Sequence, residues 1–216
     1  MTTQRLGARA KPSVRRRAPE IYDAAARVFA ERGFHGATTQ DIADVLGIRQ
    51  ASLYYYFPSK DAALELVCLK GVEGFFESAR AIAKGPGNCA NRLARLIDSH
   101  LAPVDDRADY VRVFLNERQH LTPESRGKVG KWSHGLERIF EDVLKEGIEK
   151  GEFRSDTHPR LTTLAILGMV NWVPNWYRNE GVPIARISAE FSRVILDGLR
   201  VSGPQQRVRA QESRSV

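Results

Sequence analysis

The sequence predicts an all-α protein of about nine helices, with an N-terminal helix-turn-helix three-helix domain followed by a larger helical domain. Three observations carry this reading. Apolar residues recur at helical spacing along nearly the whole chain. No segment shows the two-residue alternation of a half-buried strand. The stretch Thr38 to Lys60, TTQDIADVLGIRQASLYYYFPSK, reads as two short helices joined by a glycine turn. That layout sets a short helix in the major groove of DNA.

The elements follow in order. Residues 1–17 are polar and basic and are expected to form a flexible arm, with Pro19 in the first turn of the first helix. Ile21, Ala25, Val28 and Phe29 form its apolar face, and Gly33 ends it as a left-handed cap. Thr38 caps the next helix, with Asp41 completing an imperfect capping box. Ile42, Val45 and Leu46 are expected to face inward. Gly47 supplies the positive φ of a tight turn. The recognition helix then runs from about Gln50 to Tyr56, anchored by Leu53 and stopped by Pro58. Ser59 caps a long fourth helix from Lys60 to about Ala83. Gly85-Pro86-Gly87 breaks the chain. Beyond it come a stripe at Leu93, Leu96, Ile97 and Leu101, and another at Tyr110, Val113, Phe114 and Leu115. A long amphipathic pattern runs from Val129 to Ile148. The last two helices are expected over Leu161 to about Trp176 and Ile184 to Val201, before a disordered tail at 202–216. The division is therefore a helix-turn-helix domain at 18–63 and a ligand-binding and dimerisation domain at 64–201.

Composition narrows the function. The chain has 216 residues, is 42% hydrophobic and carries a net charge of +7. Residues 1–60 hold roughly ten Lys and Arg against about five Asp and Glu, the footprint of phosphate contact beside a helix-turn-helix. No apolar run approaches the ~20 residues that span a bilayer, and no secretory signal is visible. A cytoplasmic protein without membrane contact is expected. Cys68 and Cys89 give neither a disulfide framework nor a metal spacing. The five histidines are scattered, and no HExxH, GxSxG, P-loop or dinucleotide fingerprint occurs. An enzyme, a cofactor and a metal site are not expected. Glu117 and His120 lie at i, i+3, a spacing that two polar residues facing solvent explain better than a metal.

Residues at the start of the second helix of such a motif reach base edges. Arg49 and Gln50 are the candidates, because arginine pairs bidentately with guanine and glutamine with adenine. Ala51 suits a thymine methyl, and Ser52 lies in the same turn. Tyr54, Tyr55, Lys60 and Thr39 suit phosphate. Three consecutive tyrosines cannot share one helix face, since neighbours point ~100° apart. Tyr56 is left open between contact and core, and Phe57 is assigned to the core.

Residues 18–64, through ERGFHGATTQDIA, LYYYF and PSKDAAL, resemble the DNA-binding domain of the tetracycline repressor (TetR) family. The resemblance implies a homodimeric, all-helical transcription regulator, usually a repressor, that leaves double-stranded operator DNA when a small molecule binds. Ala51 stands where many relatives have Gly, and Tyr56 where many have His. Neither threatens the fold; both bear on operator preference.

The remaining ~140 residues then have to dimerise and sense. Leu161, Leu164, Ile166, Leu167, Val170, Phe191, Val194, Ile195 and Leu199 are candidate dimer contacts, with intramolecular core as the alternative. In NWVPNWYRNEG, Asn171 to Gly181, large aromatic faces and an arginine surround a proline. Such a group suits an amphipathic anion, or else closes a helix end over the core. Asp109–Arg126 together with Gly168–Arg178 is similar to a branch of the family that responds to acyl-CoA thioesters. That similarity places Trp172, Trp176 and Arg178 near the ligand, with Phe114, Glu117 and Arg118 from the earlier segment. Arg112, Arg118 and Arg178 are the candidate cations for its phosphates. The fourth helix joins both halves and is the expected lever.

Overall fold

Helix breakers and caps set the order of elements. The computed structural model describes residues 12–201, with all side chains in that span except those of residues 12–16, Glu73, Arg178 and Asn179. Helix α1 spans Pro12–Gly36 and α2 Thr39–Leu46. A 3-10 turn, Gln50–Tyr55, stands where the recognition helix was expected. Then come α3 (Lys60–Ala83), α4 (Cys89–Leu101), α5 (Pro103–Asp106) and α6 (Ala108–Glu117). A short 3-10 turn, Arg118–His120, leads to α7 (Pro123–Glu149), α8 (Pro159–Glu180) and α9 (Ile184–Leu199). No strand occurs among the described residues.

The caps act locally as the sequence implies. The Thr38 side chain accepts from the Asp41 N–H while the Asp41 carboxylate accepts from the Thr38 N–H, a complete capping box. Gly47 adopts φ 62°, ψ 34°, and turns the chain into the recognition segment. Ser59 caps α3 through the Ala62 N–H.

Two expectations need correction. The first helix starts at Pro12 rather than near Pro19, so residues 12–17 are helical; residues 1–11 and the tail at 202–216 lie outside the described residues. Pro12 suits a helix start, and Pro19 is carried inside the helix at an exposed position. Val45 is 48% exposed rather than inward. The buried face of α2 is centred on Ile42, Ala43 and Leu46, and Val45 points about 100° away from that centre.

Two apolar cores result. The first holds Ile21, Phe29, Phe34, Ile42, Leu53, Phe57 and Leu64 of the helix-turn-helix, but also Tyr110 and Val113 of α6 and Val129 of α7. The boundary expected at residue 63 is thus crossed by continuous packing. The second core joins α4, α7, α8 and α9 through Leu93, Leu96, Phe140, Leu144, Ile166 and Ile187. Among the candidate dimer residues, Ile166, Leu167, Val170, Ile195 and Leu199 are buried within the chain, and Phe191 is half-buried. Leu161, Leu164 and Val194 remain exposed.

Polar contacts pin the second core. Buried Arg92 donates to the Ala83 carbonyl at the end of α3 (2.8 Å) and to Glu146 Oε1 on α7 (2.6 Å). Lys150 Nζ reaches the same Glu146 oxygen at 2.6 Å. Hydrogen bonds from Arg92 and then Lys150 hold the Glu146 carboxyl down to about 2. Its contribution is complete above the ordinary carboxylate value of 4.5 and is lost as pH falls towards 2. Acid titration of unfolding should therefore show a shallower loss for Glu146→Gln than for wild type in that window. Nearby, a Cβ on Gly147 would lie 2.2 Å from Phe153 Cδ2. Gly147→Ala should destabilise the protein by about 1–3 kcal/mol in denaturant melts, because the ring has to leave its buried site.

Candidate DNA-reading surface and effector cavity

The capping box and the Gly47 turn present the recognition segment at the surface. Arg49 is its N-cap residue and is exposed, as is Ala51. Gln50 is half-buried, and its Nε2 donates to Thr39 Oγ1 at 2.6 Å. Two expected DNA contacts are therefore bonded to each other across the turn. Ser52 is half-buried. The tyrosines separate as helix geometry requires: Tyr54 is 52% and Tyr55 80% exposed, whereas Tyr56 packs against the core and Phe57 is buried.

Lys60 is used differently from its expected phosphate role. Its Nζ donates to the carbonyls of Phe34 (2.8 Å) and Ala37 (3.0 Å) and sits 4.4 Å from the Phe34 ring centroid. The ammonium closes the end of α1 onto the start of α3, with two of its three donors committed inward.

A cavity of about 240 Å³ lies among α3, α4, α6, α7 and α8. Its apolar walls include Phe75, Val111, Phe114, Trp132, Leu136 and Leu167. Of the expected ligand residues, Phe114 and Arg118 line it, the guanidinium of Arg118 standing 5.1 Å from the Phe114 ring centroid. Arg118, Leu164 and Gly168 are the exposed residues of its wall.

Trp172 and Trp176 are not brought there. Trp172 is 65% exposed on the outer face of α8, and Trp176 packs near Phe191, centroids 6.4 Å apart, in the second core. The Arg178 side chain is outside the described residues. The reason is helical phase. Leu164, Leu167, Gly168 and Asn171 hold the cavity side of α8, leaving Trp172 one residue round to the outside.

His100, Ser133, Glu137 and Asn171 also line the cavity, and sequence reasoning missed them. The available signal was a polar residue inside an apolar pattern, as at His100 beside Leu101 and Asn171 beside Trp172. Asn171 Oδ1 lies 2.8 Å from His100 Nε2, and Glu137 pairs with Arg160 at 2.7 Å. Burial pushes the His100 imidazolium down, so the ring is neutral near pH 7.

The helix that walls the cavity also grips the reading head. Glu117, the last residue of α6, accepts the Phe34 N–H at 2.8 Å, where Gly33 turns α1 with φ 67°. One residue after Arg118 and Gln119, His120 stacks on Phe34 (5.7 Å, 14°) and meets His35 edge-on at 4.4 Å. Tyr110, at the start of α6, donates to Asp23 of α1 at 2.7 Å. Among the described residues no group of His, Cys, Asp or Glu is arranged to hold a metal, and no helix is long and apolar enough to cross a membrane.

Comparison with known proteins fits both halves. A family model for bacterial regulatory proteins of the tetR family matches residues 21–67, and one for the tetracyclin repressor-like C-terminal domain matches residues 86–199. The chain belongs to the tetracycline repressor family. It is a DNA-binding transcription regulator rather than an enzyme. The HTH-type transcriptional repressor KstR2 of Rhodococcus jostii is 30% identical over 186 residues, covering 85% of this chain and 91% of that protein. The structure of the ketosteroid transcriptional regulator KstR2 of Mycobacterium tuberculosis superimposes with a TM-score of 0.81 at 26% identity, over 92% of this chain and 100% of the other. FadR from Bacillus subtilis, in complex with stearoyl-CoA, superimposes with a TM-score of 0.70 at 25% identity, over 84% and 99%.

Lys60 gives a discriminating test. Lys60→Met should lower the stability of the protein and weaken DNA binding, while leaving the slope of log affinity against log salt unchanged. A lysine on phosphate would reduce that slope by about 1. Arg49→Ala should instead relax sequence preference in a binding-site selection at unchanged stability.

Proposed function

We propose that this protein is a homodimeric transcriptional repressor that leaves a pseudo-palindromic operator when a small effector, an acyl-CoA thioester, fills the cavity. The observation that carries the reading is the double duty of α6, which walls the cavity and clasps the DNA-binding domain at Glu117 and His120. A ligand that moves the end of α6 has to shift α1 or break the clasp. It would favour a state whose recognition segments are mis-spaced for the two half-sites, one DNA turn or ~34 Å apart. Arg49, Gln50, Ala51 and Ser52 would face the bases, with Thr39, Tyr54 and Tyr55 towards phosphate. The lever expected in the fourth helix is shared with α6, because α3 packs against both α1 and α6.

An acyl-CoA is favoured by the apolar cavity with the exposed cation of Arg118 in its wall, and by the stearoyl-CoA bound to FadR. Dimerisation is favoured by an unpartnered stripe on α8. Leu161, Ala165, Met169 and Trp172 are exposed and recur on one helical face, beside exposed Val194 of α9. Trp172 is thereby reassigned from ligand contact to subunit contact.

Operator duplexes selected from random DNA, and DNA upstream of the protein's own gene, should bind tightly and with a steep salt slope in fluorescence anisotropy. A panel of acyl-CoAs should contain a member that releases them while its free acid does not. Selection that recovers no preferred sequence would reject the reading. Glu117→Ala should still bind the effector, read by Trp132 fluorescence, but the effector's effect on DNA affinity should shrink at least tenfold from a typical ~100-fold coupling. Trp172→Glu should yield a monomer in sedimentation that has lost operator binding.

A further inference from the structure

Four buried side-chain polar atoms among the described residues have no hydrogen-bond partner, and two of them belong to residues of the cavity wall: His100 Nδ1 and Ser133 Oγ. Buried polar groups are nearly always paired, so each calls for a partner. The chemistry of that partner can be read from His100. Its Nε2 faces the carbonyl oxygen of Asn171 at 2.8 Å, and only a ring N–H can bond there. In the neutral ring Nδ1 is then a bare acceptor and needs a donor. Ser133 both donates and accepts.

The size of the cavity adds a second limit. At about 240 Å³ it falls just below the ~300–1,000 Å³ usual for small-molecule sites. His100 and Asn171 interrupt its apolar walls.

We propose that the effector's buried end is compact and bears a hydroxyl group, which donates to His100 Nδ1 and bonds the Ser133 hydroxyl. A long unsubstituted acyl chain would leave both protein atoms unpaired. Both atoms are covered by the wall in this structure, so the effector's hydroxyl reaches them as the surrounding side chains yield to it. The assignment rests on the effector reading above for the place of binding, but not on the thioester.

Trp132 in the wall reports filling of the cavity. Wild type, Ser133→Ala and His100→Leu would be titrated with octanoyl-CoA against 8-hydroxyoctanoyl-CoA, with cyclohexanecarbonyl-CoA against 4-hydroxycyclohexanecarbonyl-CoA, and with the four corresponding free acids. In wild type the hydroxylated member of at least one pair should bind about tenfold tighter or better, as expected for one satisfied buried bond. Both variants should bring that ratio below about threefold. Without any ligand, Ser133→Ala should raise Tm by a few degrees, because it removes an unpaired hydroxyl. Equal or tighter binding of the unsubstituted members in wild type would overturn the proposal, as would a preference that survives in both variants, a lowered Tm for Ser133→Ala, or binding by none of the eight compounds. Preference among the free acids with no binding of the thioesters would sustain it and sink the acyl-CoA reading instead. Tight thioester binding without preference would do the reverse.

Discussion

The reading head and the cavity share one helix and one core. Val113 of α6 is buried among the residues that hold the helix-turn-helix together, while its neighbours Val111 and Phe114 line the cavity. A close-packed interior transmits displacement instead of absorbing it. The Glu117 carboxylate adds direction to this packing, because its partner is a backbone N–H at the bend in α1. A displacement at the cavity would reach the reading head through that seam and along α3, which also lines the cavity and packs against α1. Cys68 lies in the same core, and its burial, which pushes the thiol up to about 12, leaves it an apolar packing group rather than a reactive one.

The far end is built to stay still. Arg92 ties the end of α3 to α7, and Glu152 accepts the Cys89 N–H at 2.7 Å to fix the start of α4. Gly147 lets Phe153 lie directly on α7.

Local chemistry was legible in the sequence wherever a short segment decides its own conformation. Thr38 with Asp41, Gly47, Ser59 and the break after Ala83 were all readable, because caps and turns depend on a few neighbouring residues. The stripe Leu93, Leu96, Ile97 and Leu101 was readable for the same reason, since helical period alone orients it. The cavity was not. Its polar residues come from three helices far apart in the chain, and neither His100 nor Ser133 belongs to any motif. The conspicuous aromatics of Asn171 to Gly181 drew attention away from them, yet Trp172 faces outward because one residue of helical phase separates it from Asn171. Lys60 was misread for a related reason: its inward carbonyl partners lie 26 and 23 residues earlier in the chain.

The bond between Gln50 and Thr39 bears on how the protein could change its target. One amide hydrogen of Gln50 is already engaged, so the orientation in which it would meet a base edge is set by a residue on the neighbouring helix. A substitution at position 50 alone would strand the Thr39 hydroxyl, and one at position 39 alone would let the glutamine swing. If Gln50 reads a base as proposed, operator choice is encoded by a pair of residues, and descendants of this chain would drift between targets by double steps more readily than by single ones.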